Sequence, residues 1–541
     1  MSGELLTGRF ADGPVRGLSY RTASTAGVTD DDGRFNYAPG ETVSFALAGV
    51  ELGSAPGAAR VTPLDLGGPG ALLTDPHVTN IARLLQSLSG DDADLAGGIT
   101  VTGGVRDALA NVDSIDFGQD TETFSNDPTV VGLMAKLGLT LRSEHRARNH
   151  LRRSAAGIKK LTDVALPTRD GSYLLADVFR PLEPGSYPAI LRLSIYGKEW
   201  GSGSVRDEAQ RARRDRQEDT WFENKPRGLG PMFRVAENAV SANAMDWVPR
   251  GYVLVRADNR GVGLTPGVLH PFSEQEVDDY EDAIAWCASQ PWSTGDVGLY
   301  GASYAATNQW NVAARRPPAL RAMIPFASDC DAYRELAYPG GIFNEGYRTW
   351  WWNSMVTEPQ PGTPAVDFLG GLLAHPFDDE VYYGPEGEGP RSPTLEEIDI
   401  PFLTAVSQTG VLHGRAGFEV FTRSPAPFKQ LLVVDGTYFA YMYEDCLEDQ
   451  FRFFDRFLRH DDDATDGQPA VRYIMRTGGG GFEWRTADAW PVPSTERLDW
   501  HLTADGRLTP DPAVDEGSHH YSADVDADAP LGQNGVSFLS D

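Results

Sequence analysis

Asp296-Val297-Gly298-Leu299-Tyr300-Gly301-Ala302-Ser303-Tyr304-Ala305-Ala306 is an apolar run that enters a Gly-x-Ser turn and leaves it through small residues. A strand, such a turn and then a helix make the layout of a nucleophile elbow, whose central residue is held in a strained conformation above the sheet. Only small neighbours fit around that turn, and Gly301, Ala302, Ala305 and Ala306 supply them. Ser303 is therefore the candidate nucleophile. Gly-Ala-Ser also occurs in ordinary turns, so the reading rests on context: strand-like Val-Gly-Leu-Tyr before it, helix-compatible Ala-Ala-Thr-Asn-Gln-Trp after it.

Upstream of the turn, Glu274 to Gln290 reads as a helix with Tyr280, Ala283, Ile284 and Trp286 inward. Before it, Tyr173 to Phe179, Ala189 to Ser194 and Tyr252 to Val255 read as strands. Strands alternating with helices imply an α/β fold with a parallel sheet and crossovers. Residues 1–140 precede this rhythm as a separate module, with short strands to about residue 65 and helical spacing afterwards, as in Val78 to Leu88. It resembles the β-rich, lipoprotein-like modules at the front of some bacterial surface proteins. Within it, Thr29-Asp30-Asp31-Asp32-Gly33-Arg34-Phe35 invites a calcium reading, but its acids are contiguous and no Glu closes a twelve-residue loop, so a hairpin turn is expected. The basic run from Arg142 to Lys160 is expected to be a solvated linker or helix against acidic surface, with residues 141–160 as the boundary.

A chain of 541 residues suggests two to four domains, and a net charge of -30 excludes nucleic acid and anionic membrane surfaces as partners. Cys287, Cys330 and Cys446 are odd in number and widely spaced, so neither a disulfide framework nor a zinc site is implied. No basic n-region or membrane-length apolar run occurs. The chain as given reads as cytoplasmic, or secreted or surface-attached if a signal once preceded it. No metal cluster, phosphate loop or dinucleotide fingerprint is present, and no cofactor is expected: Gly478 to Gly481 lacks the Lys and Ser/Thr of a phosphate loop.

Tyr196-Gly197-Lys198, Asp258-Asn259-Arg260-Gly261-Val262-Gly263, His270-Pro271-Phe272, Gln290-Pro291-Trp292-Ser293 and Gly301-Ala302-Ser303-Tyr304 follow one another in an order that resembles the cocaine-esterase and X-prolyl dipeptidyl-peptidase family of α/β-hydrolases. The similarity runs from about residue 162 to 541. It implies a hydrolase core over 161–329 and 399–465, a helical cap over 330–398 and a partial jelly-roll over 466–541, cut short relative to the family. It also implies an oxyanion hole made by the Tyr196 hydroxyl and the backbone N–H of Tyr304. Trp350, Trp351 and Trp352 fall in the cap, where they either line a substrate pocket or belong to its core.

Serine acyl transfer further needs a base and an acid to orient it. The positions that the resemblance assigns to them hold other residues: Thr409 stands at the acid and Phe439 at the base, and no histidine lies between His413 and His460. A relocated pair of His413 and Asp435 is the substitute that loop positions allow. Two readings follow. The chain is a serine hydrolase acting on an ester or amide with a non-standard or missing base, or it is a degenerate scaffold that binds a ligand or catalyses a non-hydrolytic reaction such as cyclisation or isomerisation. Either is compatible with docking through the first 140 residues. A small ester, amide or peptide-like ligand is the expected partner, and the unpaired edges of a partial jelly-roll make a homo-oligomer a further expectation.

Overall fold

The computed structural model describes residues 5–90, 95, 97–198, 208–223, 240–359, 362–385, 412–434, 444–478, 481–512 and 517–518. The chain forms two compact units, Met1–Thr486 and Ala487–Asp541.

The first unit is built on one ten-stranded sheet. Its strands are β1 (Ile158–Pro167), β2 (Tyr173–Pro181), β3 (Tyr187–Ser194), β4 (Val253–Asp258), β5 (Ser293–Ala302), β6 (Leu320–Phe326), β7 (Phe402–Ser407), β8 (Lys429–Val434), β9 (Val471–Gly478) and β10 (Gly481–Ala487). They lie in the order β1-β2-β4-β3-β5-β6-β7-β8-β9-β10. The β1–β2 and β2–β4 pairs are antiparallel, and the ladder from β4 to β9 is parallel. Helices supply the crossovers that a parallel ladder requires: α1 (Glu144–Ala155) precedes the sheet, followed by α2 (Glu208–Glu223), α3 (Glu274–Ser289), α4 (Tyr304–Ala314), α5 (Ala416–Arg423) and α6 (Glu444–Leu458).

The pleat of β5 assigns its side chains to two cores. Val297 and Leu299 pack with Val277, Tyr280 and Ile284 of α3 and Trp310 of α4, whereas Tyr300 and Ala302 join Phe451, Phe454 and Leu458 of α6 on the other face. Gly298 faces α6 so closely that a Cβ there would lie 2.8 Å from Leu458 Cδ1.

Two sequence expectations change here. The run 142–160 is no solvated linker: it forms α1 and the start of β1. Arg152 and His145 each reach Asp219 of α2 at 2.9 Å, and Arg153 meets Glu218 at 2.5 Å. Ala147 and Leu151, four residues apart on the opposite face, are buried against Val78 and Ala82 of the helix Pro76–Ser87. Likewise, β9 pairs with β8 (Leu431 with Val471, Val433 with Tyr473), so this stretch prolongs the hydrolase sheet. Arg472 secures it, pairing with Asp449 of α6 at 2.7 Å and lying over the Trp484 ring of β10. In the second unit, His501–Leu502 pairs with Leu508–Thr509.

The N-terminal module has its own core, centred on Phe10, Phe35 and Phe45. In its acidic turn, Asp30 Oδ1 accepts the backbone N–H groups of Asp32 and Arg34, and Gly33 takes φ 73°. The carboxylate is used to close the turn, as the hairpin reading expects. All three cysteines are buried and free. Among the described residues, no helix is long and apolar enough to cross a membrane.

Three buried groups set how stability depends on pH. Burial raises Asp12 to about 7, against the hydrogen bonds from Gln86, and depresses His150 to about 3. Between about pH 4 and 6.5 the native pair holds one proton, on Asp12. The unfolded pair also holds one, on His150, so their contributions cancel. Asp258, at the end of β4, is raised to about 7 by burial, against Lys198 and Arg192, and has no such counterpart. Its folded-state proton is retained up to about pH 7, whereas the unfolded chain releases it near 4. The associated stability is present at low pH and is lost as pH rises through that window, by roughly 4 kcal/mol. Asp258→Asn is expected to shrink the difference between urea midpoints measured at pH 5 and pH 8; an unchanged difference would contradict this assignment.

Candidate active site

The β5–α4 turn has the elbow geometry. Ser303 sits at φ 59°, ψ -128°, a left-handed conformation that side chains seldom adopt. A Cβ on Gly301 would lie 2.2 Å from the Ala305 carbonyl oxygen, so only glycine permits the turn. The strain is held from both sides. The Ser303 N–H donates to the carbonyls of Phe326 and Ala327 at the end of β6, and its own carbonyl accepts the N–H groups of Ala306 and Thr307.

His413, in the loop between β7 and α5, is buried and brings Nε2 to 3.3 Å from Ser303 Oγ. Its Nδ1 lies 2.7 Å from Asp329 Oδ1. With Nδ1–H donating to the carboxylate, Nε2 is left as the acceptor facing the serine, the tautomer a general base needs. Burial pushes Asp329 up, but the charge and hydrogen bond of His413 outweigh it and hold the carboxyl below its usual value. Asp329 is therefore ionised.

The loop carrying Asp329 is riveted to α4. The Asp329 N–H donates to Thr307 Oγ1, which in turn donates to the Ser303 carbonyl, and Trp310 Nε1–H donates to Ser328 Oγ. Nucleophile and acid thus share one short hydrogen-bonded frame. Beyond the acid, Glu335 accepts the N–H groups of Cys330 and Asp331 and is raised to about 8, first by burial and then by the Asp329 charge. At neutral pH Glu335 is the proton-bearing member of this carboxyl pair. Arg348, from the cap helix Glu345–Trp350, comes within 3.8 Å of Asp329 Oδ2.

On the other side of Ser303, Tyr196 is buried and hydrogen-bonded to Ser303 and to Trp351 Nε1 at 2.8 Å. Burial raises its hydroxyl to about 12, so it is a donor at neutral pH. Tyr304 opens α4, where its backbone N–H is one of the donors that a helix start leaves unpaired within the helix. Its side chain lies below the site: Tyr304 Oη donates to Glu276 Oε2 at 2.6 Å, and the same carboxyl group accepts from Asn308 and the Phe272 N–H. Tyr196 and Tyr304 thus flank the nucleophile as an oxyanion hole requires.

Against the sequence expectations, the structure joins Ser303, Tyr196, Tyr304 and His413, and gives His413 a different acid. Asp329 holds its Nδ1; Asp435, the partner expected from loop positions, lies outside the described residues, as do Thr409 and Phe439. The Trp triplet divides. Trp351 touches Tyr196 and stacks on Tyr304, Trp352 packs against Phe368 in the core, and Trp350 is 51% exposed beside Tyr347. Sequence reading missed Asp329, although it is the first acid after the buried run Ala322–Phe326.

Comparison with known proteins agrees with this geometry. The family described as X-Pro dipeptidyl-peptidase (S15 family) matches residues 170–367. The cocaine esterase of Rhodococcus sp. is 26% identical over 396 residues, 64% of this chain and 62% of its own length. A putative serine esterase of Mycobacterium bovis is 25% identical over 353 residues, 52% of this chain and 56% of its own. A crystal structure of a CocE/NonD family hydrolase from Staphylococcus aureus superposes with a TM-score of 0.56 at 31% identity, covering 65% of this chain and 60% of that one. The chain spans about three-fifths of the length of these relatives.

Proposed function

Since the chain belongs to the α/β-hydrolase family of cocaine esterase and the X-Pro dipeptidyl-peptidases, we propose that it hydrolyses carboxylic esters through an acyl-enzyme on Ser303, with His413 as base and Asp329 as the acid that orients it. The observation that carries this reading is the continuous row Ser303 Oγ, His413 Nε2, His413 Nδ1 and Asp329 Oδ1, at 3.3 and 2.7 Å.

In the forward step, the Ser303 proton passes to His413 Nε2 as Oγ bonds to the ester carbonyl carbon. The negative charge that develops on the carbonyl oxygen is received by Tyr196 Oη–H and the Tyr304 N–H. Collapse breaks the bond to the alkoxy group, which takes the proton from His413. Water then repeats the sequence on the acyl-enzyme, its proton passing through His413 back to Ser303. Asp329, kept ionised, stabilises the imidazolium in both halves. Esters are favoured over prolyl amides because the serine esterases align over 396 and 353 residues, whereas the Xaa-Pro dipeptidyl-peptidase relative of Bacillus cereus aligns over 113. The alternative of a non-hydrolytic scaffold rested on a missing base, and the position of His413 removes that motive.

The test is labelling by a fluorophosphonate probe, together with turnover of p-nitrophenyl butyrate and of glycyl-prolyl p-nitroanilide. Labelling of the native chain but not of Ser303→Ala is expected, with ester turnover exceeding amide turnover at least tenfold. A native chain that neither labels nor turns over either compound would refute the proposal.

A further inference from the structure

The Tyr196 hydroxyl has one proton and can point it in several directions; the oxyanion hole works only if that proton faces Ser303. A phenolic oxygen carries lone pairs as well as its proton, and a donor placed on a lone pair fixes where the proton can go. Trp351 Nε1–H is such a donor, 2.8 Å from Tyr196 Oη in a buried setting.

We propose that Trp351, a cap residue, is a positioning residue for the oxyanion hole: its indole N–H occupies the Tyr196 oxygen from behind and directs the tyrosine proton towards the reacting carbonyl. This rests on the hydrolase reading above and adds to it a requirement that the cap be seated for the core to be competent. The placement of Trp351 is fixed on three sides. Its ring stacks on Tyr304 with centroids 6.4 Å apart and meets Phe368 at 5.8 Å. Arg348, three residues earlier, lies over the Trp351 ring and donates to the carbonyls of Leu336 and Glu335. Through Arg348, the segment that orients Tyr196 is also tied to the loop that holds Asp329. The resulting row is continuous: Trp351 to Tyr196, Tyr196 to Ser303, Ser303 to His413, His413 to Asp329. Donors in such a chain polarise one another, so the indole also makes the Tyr196 proton a stronger donor.

The experiment is a double-mutant cycle read in kcat and KM for p-nitrophenyl butyrate, combined with indole ¹H–¹⁵N spectra of the twelve tryptophans. Trp351→Phe keeps an aromatic ring and deletes the N–H. It is expected to lower kcat about tenfold, part of the 10²–10³ that loss of an oxyanion donor costs, with KM changed less than twofold. In a Tyr196→Phe background the same substitution should change kcat less than twofold, because the atom it orients is gone. An equal fall in both backgrounds, or an effect confined to KM, would overturn the proposal. Independently of turnover, the indole resonance missing from Trp351→Phe should move upfield in Tyr196→Phe, and an unmoved resonance would overturn the hydrogen bond itself. A moved resonance in a native chain without ester turnover would uphold the hydrogen bond and sink the hydrolase reading instead.

Discussion

His413→Ala is expected to lower kcat for ester hydrolysis by about 10⁶-fold, as deep a loss as Ser303→Ala, because serine and base act as one unit and the removal of either disables both. His413 Nε2 lies 3.3 Å from Ser303 Oγ, and the imidazole is buried with its other nitrogen held by Asp329. Residual catalysis of about 10³ over water should survive in both variants from the oxyanion hole and substrate positioning. Long-time-course assays with scrupulously separated preparations measure this, and fluorophosphonate labelling should vanish alongside. A His413→Ala chain retaining a tenth of the native kcat would show that the proton goes elsewhere.

The second large effect is that of Asp329→Asn, expected to reduce kcat by about 10⁴-fold with little change in KM. An amide facing Nδ1 can donate to it, which stabilises the tautomer carrying its proton on Nε2, and that nitrogen can no longer accept from Ser303. The charge that would stabilise the imidazolium disappears as well. The parallel variant Asp435→Asn is expected to stay within threefold of native. A large loss in Asp435→Asn with none in Asp329→Asn would reverse the assignment of the acid.

What could be read from the sequence follows from how local each feature is. The elbow is written in eleven consecutive residues: Gly301 and Ala305 meet within one turn, so their small size is visible as a pattern. The strands around it show the same directness, since a doubly covered parallel strand is a continuous apolar run such as Val253–Val255. Asp329 was not legible in this way. It meets His413 across 84 residues, and resemblance directs attention to the loop after β7, whereas the acid follows β6 and the base follows β7. The Trp triplet posed another kind of problem. Three adjacent rings on a helical segment point in three directions, and only its rotation against Tyr304 and Phe368 decides which one reaches Tyr196. The basic run 142–160 misled for a physical reason: its charges are neutralised by Glu218 and Asp219, which lie far away in sequence.

Placing the acid after β6 and the base after β7 has a consequence for how such a protein can diversify. Tyr196, Ser303, Asp329, Trp351 and His413 all fall within one uninterrupted stretch of coding sequence, closed before β8 begins. That stretch can be inherited, or recombined into another lineage, as a single block with its chemistry intact. Whatever follows it is free to be exchanged or elaborated under selection for other properties.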